Sequence, residues 1–470
     1  MVTNIGSAPP KSPISISVAS GTLHLPLLAA DLSAMVINIA TTPIKARYIR
    51  TNFEYNGIFN NPLHIFSFMR KFVLLLIIIC LLLSSCQLNN PEISKNETTT
   101  FAISSSKNDM ELRGIWISCY DHISAEGKTR NEYKAETDKM FRNIKEYGLN
   151  TAFVHLRAFS DAFYKSEIYP YSEYIAGEEG AELAFDPFEV MLESAEKYGI
   201  SVHGWINPFR ISSKNDISHL SDKNPAKATL DSGNEKGEIC ILPNGIYYNP
   251  SCTENHKKII DGVREIIAKY DIDGIHIDDY FYPSTESNVD NIQYSQYKTE
   301  GGTLSLAEWR RTNVNAFVSA LYSAVKAENS SLVFSISPSA KLEENKENLY
   351  AECELWLSHK GYADLIIPQI YFGFEHETHD FKSLLNQWGA FSRNSAVKLA
   401  CGIAAYKCGT EDAYAGTGSN EWQKNTDILA RQFECISQNS DYSGFVIFSY
   451  QDLLRESCKT EIQKLKEAVN

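Results

Sequence analysis

The sequence has no excess of positive charge: 44 lysines and arginines stand against 58 aspartates and glutamates, for a net charge of −14 and a pI near 5.4. A general nucleic-acid binder presents a basic face, so no nucleic-acid partner is expected, and neutral or cationic partners are easier to accommodate. The ten cysteines are scattered with no C-x-x-C spacing, and no H-E-x-x-H occurs, which argues against a zinc site. No metal and no cofactor are expected. The apolar run Phe72 to Leu83 is about a dozen residues, short of the ~18 to 20 that a bilayer requires of a spanning helix.

That short run has another use. Met69-Arg70-Lys71 precedes it and Leu83-Ser84-Ser85-Cys86 follows, giving a basic region, an apolar region and a small-residue cleavage site. Ending on cysteine, the segment resembles a bacterial lipoprotein signal, with Cys86 as the lipidated first residue of the mature chain. The implied location is the bacterial cell envelope, outside the cytoplasm, with membrane contact through a lipid anchor at Cys86. Residues 1–68 show little periodicity and carry Pro9, Pro10, Pro13, Pro43 and Pro62, so they read as an upstream leader or a misassigned start. Residues 69–86 are then the signal peptide, and 87–109, rich in Ser, Thr, Asn and Lys, a flexible tether. In an exported chain some of the remaining cysteines pair, and Cys240 with Cys252 would close one loop; buried free thiols are the alternative.

From Leu112 onward, short β-branched or aromatic runs alternate with longer helical patterns. Strands are expected at 114–118, 151–156, 201–207, 274–278, 332–337, 365–371, within 398–406 and at 445–450, with helices near 132–147, 187–198, 256–269, 306–327, 349–357, 381–391, 423–438 and 453–468. Gly148 and Gly199 stand where helix C-caps belong. Eight β/α units in order predict a (β/α)8 TIM barrel as one catalytic domain over 110–470, because an open sheet would leave two edges to protect.

A barrel of this kind places its chemistry at the C-terminal ends of its strands. There the fourth strand delivers Asp278 and Asp279, with Gly274, His276 and Asp278 on the lumen face and Ile275 and Ile277 against the helices. His155 and Arg157 end the second strand, Asn207 and Arg210 follow the third, Gln369 and Tyr371 end the sixth, Tyr406 and Lys407 the seventh, and Ser449 and Tyr450 the eighth. Each alone reads as a cap or a loop ion pair; their shared rim is the signal. Arg113 belongs to the opposite rim and reads as structural.

These residues carry a family resemblance. Arg113-Gly114-Ile115-Trp116, Asn150 to Arg157, His203-Gly204-Trp205-Ile206-Asn207-Pro208, Asp273 to Pro283, Ser335-Ile336-Ser337-Pro338 and Asp364 to Tyr371 resemble, in order, the bacterial glycosyl-hydrolase-like family ten. The resemblance spans about Leu112 to Leu454 and implies a glycosidase-type barrel, often on an envelope lipoprotein, acting on a polysaccharide or glycan. The Gly274-x-His276-x-Asp278 pattern is also similar to the Gly-x-Arg-x-Asp segment that carries the nucleophile of α-amylase-like glycosidases. That likeness makes Asp278 the ionised carboxylate.

Glycosidic cleavage needs one ionised carboxylate and one protonated acid. Ser335-Ile336-Ser337-Pro338 supplies no glutamate at the fifth strand, so Asp279 is the expected acid provided the chain bends after Asp278, with Glu375 in reserve. Tyr280, Phe281, Tyr371 and Trp205 would stack on sugar faces, while His155, Arg157, Asn207, Arg210 and Gln369 would bind hydroxyls. His276 would orient or charge-balance Asp278 beside the substrate. Two rival readings remain open: a glycan-binding surface lipoprotein without turnover, and a metal-dependent hydrolase built on Asp278, Asp279 and His276.

Overall fold

Alternation along the strands sorts the apolar side chains into two populations, one facing helices and one facing a lumen. In the computed structural model, residues 110–469 are described and fall within one compact unit. The leader, the signal with Cys86 and the tether lie outside the described residues. The strands are β1 (Leu112–Ile117), β2 (Thr151–Arg157), β3 (Ser201–Ile206), β4 (Arg210–Ser212), β5 (Ile239–Leu242), β6 (Gly245–Tyr248), β7 (Gly274–Ile277), β8 (Val333–Ile336), β9 (Leu365–Ile366), β10 (Lys398–Leu399), β11 (Cys401–Ala404) and β12 (Gly444–Phe448).

All but β4 to β6 form one parallel sheet in the order β10-β9-β8-β7-β3-β2-β1-β12-β11. The two end members are pieces of a single strand interrupted at Ala400. Lys398 and Leu399 pair with β9, whereas Cys401 to Ala404 pair with β12. The sheet therefore begins and ends on the same stretch of chain and closes as the expected eight-stranded barrel. β9 has only two ladder residues, but bridges from Gln369 to Ser339 and to Gly402 carry the pairing up to the rim.

Eight helices pack outside: α1 (Arg130–Glu146), α2 (Pro187–Tyr198), α3 (Thr253–Lys269), α4 (Leu306–Glu328), α5 (Cys353–Ser358), α6 (Phe381–Gly389), α7 (Ile428–Ser437) and α8 (Lys459–Val469). Their starts follow local chemistry. Thr129 with Glu132 and Ser305 with Glu308 form capping boxes, and Asp186 caps α2 ahead of Pro187. Gly199 ends α2 in the left-handed region at φ 62°, as its position predicts. The last two helices start later than their apolar pattern suggests, because separate turns at Glu421–Lys424 and Tyr450–Leu453 take up the first residues.

Ile115, Ile117, Ile275, Ile277, Ile403 and Ile447 face the helices, while Trp116, Phe153, Trp205, Leu365, Ile367, Ala400 and Val446 fill the lumen. Two indoles in so narrow a space require small residues opposite. A Cβ on Gly402 would lie 3.1 Å from the Trp116 ring and 3.0 Å from the Pro368 carbonyl oxygen. All eight cysteines from Cys119 to Cys458 are thiols, so Cys240 and Cys252 do not close a loop; Cys240 Sγ instead donates to Val289 O.

The long insertion after β3 folds as a three-stranded antiparallel sheet, β4-β6-β5, with Arg210 paired to Tyr247 at its first position. It brings Arg210 back over the barrel mouth. Gly402→Val should drive a branched side chain into Trp116 and destabilise the fold by about 1–3 kcal/mol or more, read from the denaturation midpoint. Gly199→Ala, far from the lumen, should cost about 1–2 kcal/mol for its left-handed φ.

Candidate active site

The lumen opens at the strands' C-terminal ends into a cavity of about 280 Å³. Asp278, Asp279, Tyr280, Gln369 and Tyr371 line it, as do His155, Trp205, Asn207 and Arg210. Asp278 arrives by strand parity. Asp279 would point away on a continuing strand, but β7 stops at Ile277. Tyr280 N then donates to Asp278 Oδ1 (3.3 Å) and Phe281 N to Asp279 O (3.0 Å), a tight turn that swings Asp279 to the same cavity.

The two carboxyls differ in environment. Asp278 is 3% exposed, and burial together with the Asp279 charge pushes its pKa well above the carboxylate range, with Arg210 opposing. Burial pushes Asp279 up to about 6, eased by its own backbone N–H, by Gln369 and by Arg210. Both carboxyls are thus harder to ionise than they would be in water, and Asp278 is pushed by its neighbour's charge as well as by burial. The more enclosed group is harder to ionise.

Above the carboxyls the wall holds polar atoms with no protein partner. Cys119 N donates to His155 Nδ1 (3.2 Å), so the proton of this imidazole lies on Nε2; burial keeps the ring neutral by holding its pKa well below 6.5. That ring stacks on Trp205 at 3.8 Å and 5°. His155 Nε2, Trp205 Nε1, Asn207 Oδ1 and Arg210 Nε are all buried and unpaired. Trp205 Nε1 nears Asp278 and Asn207 nears His155, both short of hydrogen-bond geometry. Unpaired buried polar atoms are rare in native folds, and four around one cavity mark a surface awaiting a polar ligand. The Arg210 guanidinium lies 4.4 Å from the Tyr280 ring centroid and 4.7 Å from that of Phe159, which holds it flat at the mouth.

Four expected site residues are not brought to the cavity; the first, Phe281, is buried against Trp356 with ring centroids 5.3 Å apart. A bulge between His155 and Arg157 sets Arg157 opposite Ile206, an outward position. Its Nη1 donates to Asn207 O (2.7 Å) and Pro208 O (3.0 Å), bracing the end of β3 from behind. His276 is fully buried beneath the floor. Trp116 Nε1 donates to its Nε2 (3.1 Å), so Nδ1 carries the proton toward Ser335 Oγ (2.8 Å), and Ser337 Oγ donates to Nε2 (3.1 Å). Burial and nearby His203 hold it neutral, so it supplies no counter-charge to Asp278. Glu375 is exposed on the loop after β9, its backbone N–H bound to Glu421 Oε2 (2.8 Å). Among the described residues no group of three or more His, Cys, Asp or Glu side chains is arranged to hold a metal ion.

The wall also contains residues not singled out as site residues in the sequence: Trp116, Ser118, Cys119 and Tyr120 from the end of β1, Ser337 after β8, and Phe448 at the end of β12. Ser118-Cys119-Tyr120 runs on from β1 just as Asp278-Asp279-Tyr280 runs on from β7, and that position was the available signal. Asp121 holds this segment in place. Its Oδ2 accepts from Ser118 N (2.7 Å) and Oγ (2.5 Å), and its Oδ1 from Ser449 Oγ (3.0 Å) and Gln451 N (2.7 Å), joining the ends of β1 and β12.

A raised carboxyl pKa means the folded state binds protons more tightly than the unfolded chain, so the stability linked to Asp279 falls as pH rises from about 4 toward 6 and then levels off, while that linked to Asp278 begins its fall in the same range. Asp279→Asn should therefore raise the melting temperature at pH 7 by a few degrees, on the order of 2 kcal/mol. The advantage should vanish near pH 4, as paired thermal scans at the two pH values would reveal.

The family described as glycosyl hydrolase-like 10 matches residues 111–416. A Bacillus subtilis (strain 168) protein named glycosyl hydrolase YngK is 30% identical over 396 residues, 77% of this chain and 75% of its own length. An Escherichia coli (strain K12) protein named glycosyl hydrolase DigH is 24% identical over 414 residues, 80% of this chain and 91% of its own. Among solved structures, the PgaB (BpsB) glycoside hydrolase domain from Bordetella bronchiseptica has a TM-score of 0.51 at 12% identity, covering 76% of this chain and 98% of that one. Alpha-L-fucosidase isoenzyme 2 from Paenibacillus thiaminolyticus also has a TM-score of 0.51, at 14% identity, covering 77% of this chain but 49% of that one. At these identities the two structures share the fold alone.

Proposed function

The chain belongs to the glycosyl hydrolase-like 10 family, and from that premise we propose that it hydrolyses O-glycosidic bonds in a cell-envelope or extracellular glycan, with Asp278 and Asp279 as the reacting carboxyls. The observation that carries this reading is the carboxyl pair on the floor of a cavity whose wall holds four unpartnered buried polar atoms. Asp278, protonated in the free protein, donates to the glycosidic oxygen as the bond breaks. Asp279, ionised above about pH 6, stabilises the positive charge that develops at the sugar ring or activates the attacking water.

The wall supports the same reading. His155 Nε2–H, Trp205 Nε1–H and Arg210 Nε–H are donors and Asn207 Oδ1 an acceptor, a set that sugar hydroxyls complete. Tyr120, Tyr280 and Tyr406 are 62%, 45% and 38% exposed around the mouth, a platform on which neighbouring sugar rings stack. The names of the two relatives are consistent with hydrolysis of glycosyl bonds.

Digestion of a glycan panel, with peptidoglycan and exopolysaccharides included, should yield defined products. Asp278→Asn and Asp279→Asn should each lower kcat by on the order of a thousandfold. A substrate with a good leaving group needs no proton, so it should rescue Asp278→Asn and not Asp279→Asn; rescue of Asp279→Asn instead would exchange the two roles. The acid limb of kcat/KM should fall near pH 6. Glycan binding that survives both substitutions, with no hydrolysis by the wild type, would establish a binding protein.

The location belongs to the same proposal: an envelope lipoprotein anchored through Cys86. Mass spectrometry of the membrane fraction should find an acylated Cys86 at the mature N-terminus, and recovery of peptides from residues 1–68 on that form would overturn it.

A further inference from the structure

Away from the carboxyl pair, two thiols meet. Cys408 follows the turn that carries Tyr406, and Cys458 lies just ahead of α8; they are 2% and 0% exposed. Cys458 Sγ lies 3.7 Å from the Cys408 carbonyl oxygen and 3.7 Å from that of Ala405, so it is seated on the turn that carries Cys408. Arg455 Nη2 lies 2.9 Å from the same sulfur and also donates to the carbonyl oxygens of Tyr406 (2.9 Å), Ala405 (3.2 Å) and Cys408 (3.3 Å). Asp452 pairs with the same guanidinium at 3.0 Å. One cation thus gathers the turn that carries Cys408, the chain ahead of the last helix and the Cys458 sulfur. The other two cysteines considered as a pair face elsewhere: Cys240 Sγ donates to Val289 O, and Cys252 Sγ accepts from Gln293 Nε2.

We propose that Cys408 and Cys458 form a dithiol that closes to a disulfide by exchange with a disulfide oxidant, fastening the Tyr406 turn to the start of the last helix. The Cys408 S–H and the Arg455 charge lower the Cys458 pKa against its burial, and that makes Cys458 the attacking sulfur. Its thiolate displaces one sulfur of the oxidant, R–S–S–R, forming Cys458–S–S–R and releasing RS⁻, which takes up the Cys458 proton. Cys408 then attacks the Cys458 sulfur, closes the internal bond and releases the second RSH with its own proton. Two thiols are oxidised and one oxidant disulfide is reduced. Both sulfurs are shut from solvent in the folded chain, so exchange takes place while the C-terminal segment is undocked, and the finished bond is then sheltered from reductants.

The full chain, unfolded, refolded with oxidised glutathione and then denatured in iodoacetamide, should give the Cys408 and Cys458 peptides as one linked species that separates on reduction. The other six thiols of the described residues should be alkylated. Alkylation of both Cys408 and Cys458, or their linkage to other cysteines, would overturn the proposal. A second measurement covers the case of a poorly folding single variant. Dithiothreitol should lower the melting temperature of the oxidised wild type by several degrees and leave a Cys408→Ala/Cys458→Ala double variant unmoved; a wild type equally insensitive to reductant would also overturn it. Neither readout involves glycan hydrolysis, so the two proposals stand or fall separately.

Discussion

Trp116 lies across the lumen and donates its indole N–H to His276 Nε2, a buried bond of 3.1 Å between strands on opposite sides of the barrel. Much follows from it. Because an indole nitrogen can only donate, His276 must accept there, and its own proton turns to Ser335 Oγ. The ring is then a neutral, fully satisfied floor piece rather than a charged partner for the carboxylate above. The indole also bounds the cavity from below, in ring contact with Phe153, Tyr371 and Phe448. Asp278 therefore sits on an apolar and aromatic base with no cation beneath it. Gly402 exists in this scheme to let the indole lie flat.

The electrostatics of the pair come from that floor. A carboxyl over dry packing resists ionisation, and a second one beside it resists further. Arg210 relieves both, but it approaches from the mouth on the inserted β4 and not from the lumen. The barrel thus supplies the desolvation and the insertion supplies the counter-charge. A site divided in this way raises both carboxyls above the ordinary range, the kind of environment in which a paired acid can hold a proton near neutral pH. Its cost is a folded state penalised for every carboxyl it discourages from ionising.

The order of strands, the closure of the barrel and the position of Asp278 were legible because each depends on a period: eight β/α alternations, and a two-residue alternation within β7. The losses come where a period breaks. Asp279 reaches the cavity through a turn after Ile277, and Arg157 leaves it through a bulge at its own strand end. A chain pattern does not display either event. His276 follows parity faithfully but sits too deep to meet a ligand, since parity gives a side and not a height. Glu375 lies outside the cavity for a different reason: the Glu421 carboxylate accepts the N–H groups of Phe374 and Glu375 and holds their loop, a contact between segments far apart in sequence. Ser118-Cys119-Tyr120 was as readable as the β7 end, but without charged residues it drew no attention.

The seam of the barrel shows how the rim is kept rigid where the strands are weakest. β10 and β11 are split at Ala400 and β9 is two residues long, so backbone pairing alone holds this side loosely. Polar clamps replace it above the strands. The Asp121 carboxylate takes four donors from the ends of β1 and β12, and the Arg455 guanidinium takes three carbonyls from the turn after β11. Each clamp fixes a wall residue: Tyr120 next to Asp121, and Tyr406 among the carbonyls that Arg455 holds. Charged groups satisfied by several backbone partners keep their geometry better than exposed ion pairs, which water and salt compete for. The two tyrosines that frame the mouth are thus positioned by multiply hydrogen-bonded charged groups on the flanking loops, while the barrel beneath them positions the carboxyls. A change in either clamp would alter the reach of the mouth and leave the ionisation of the pair to the floor.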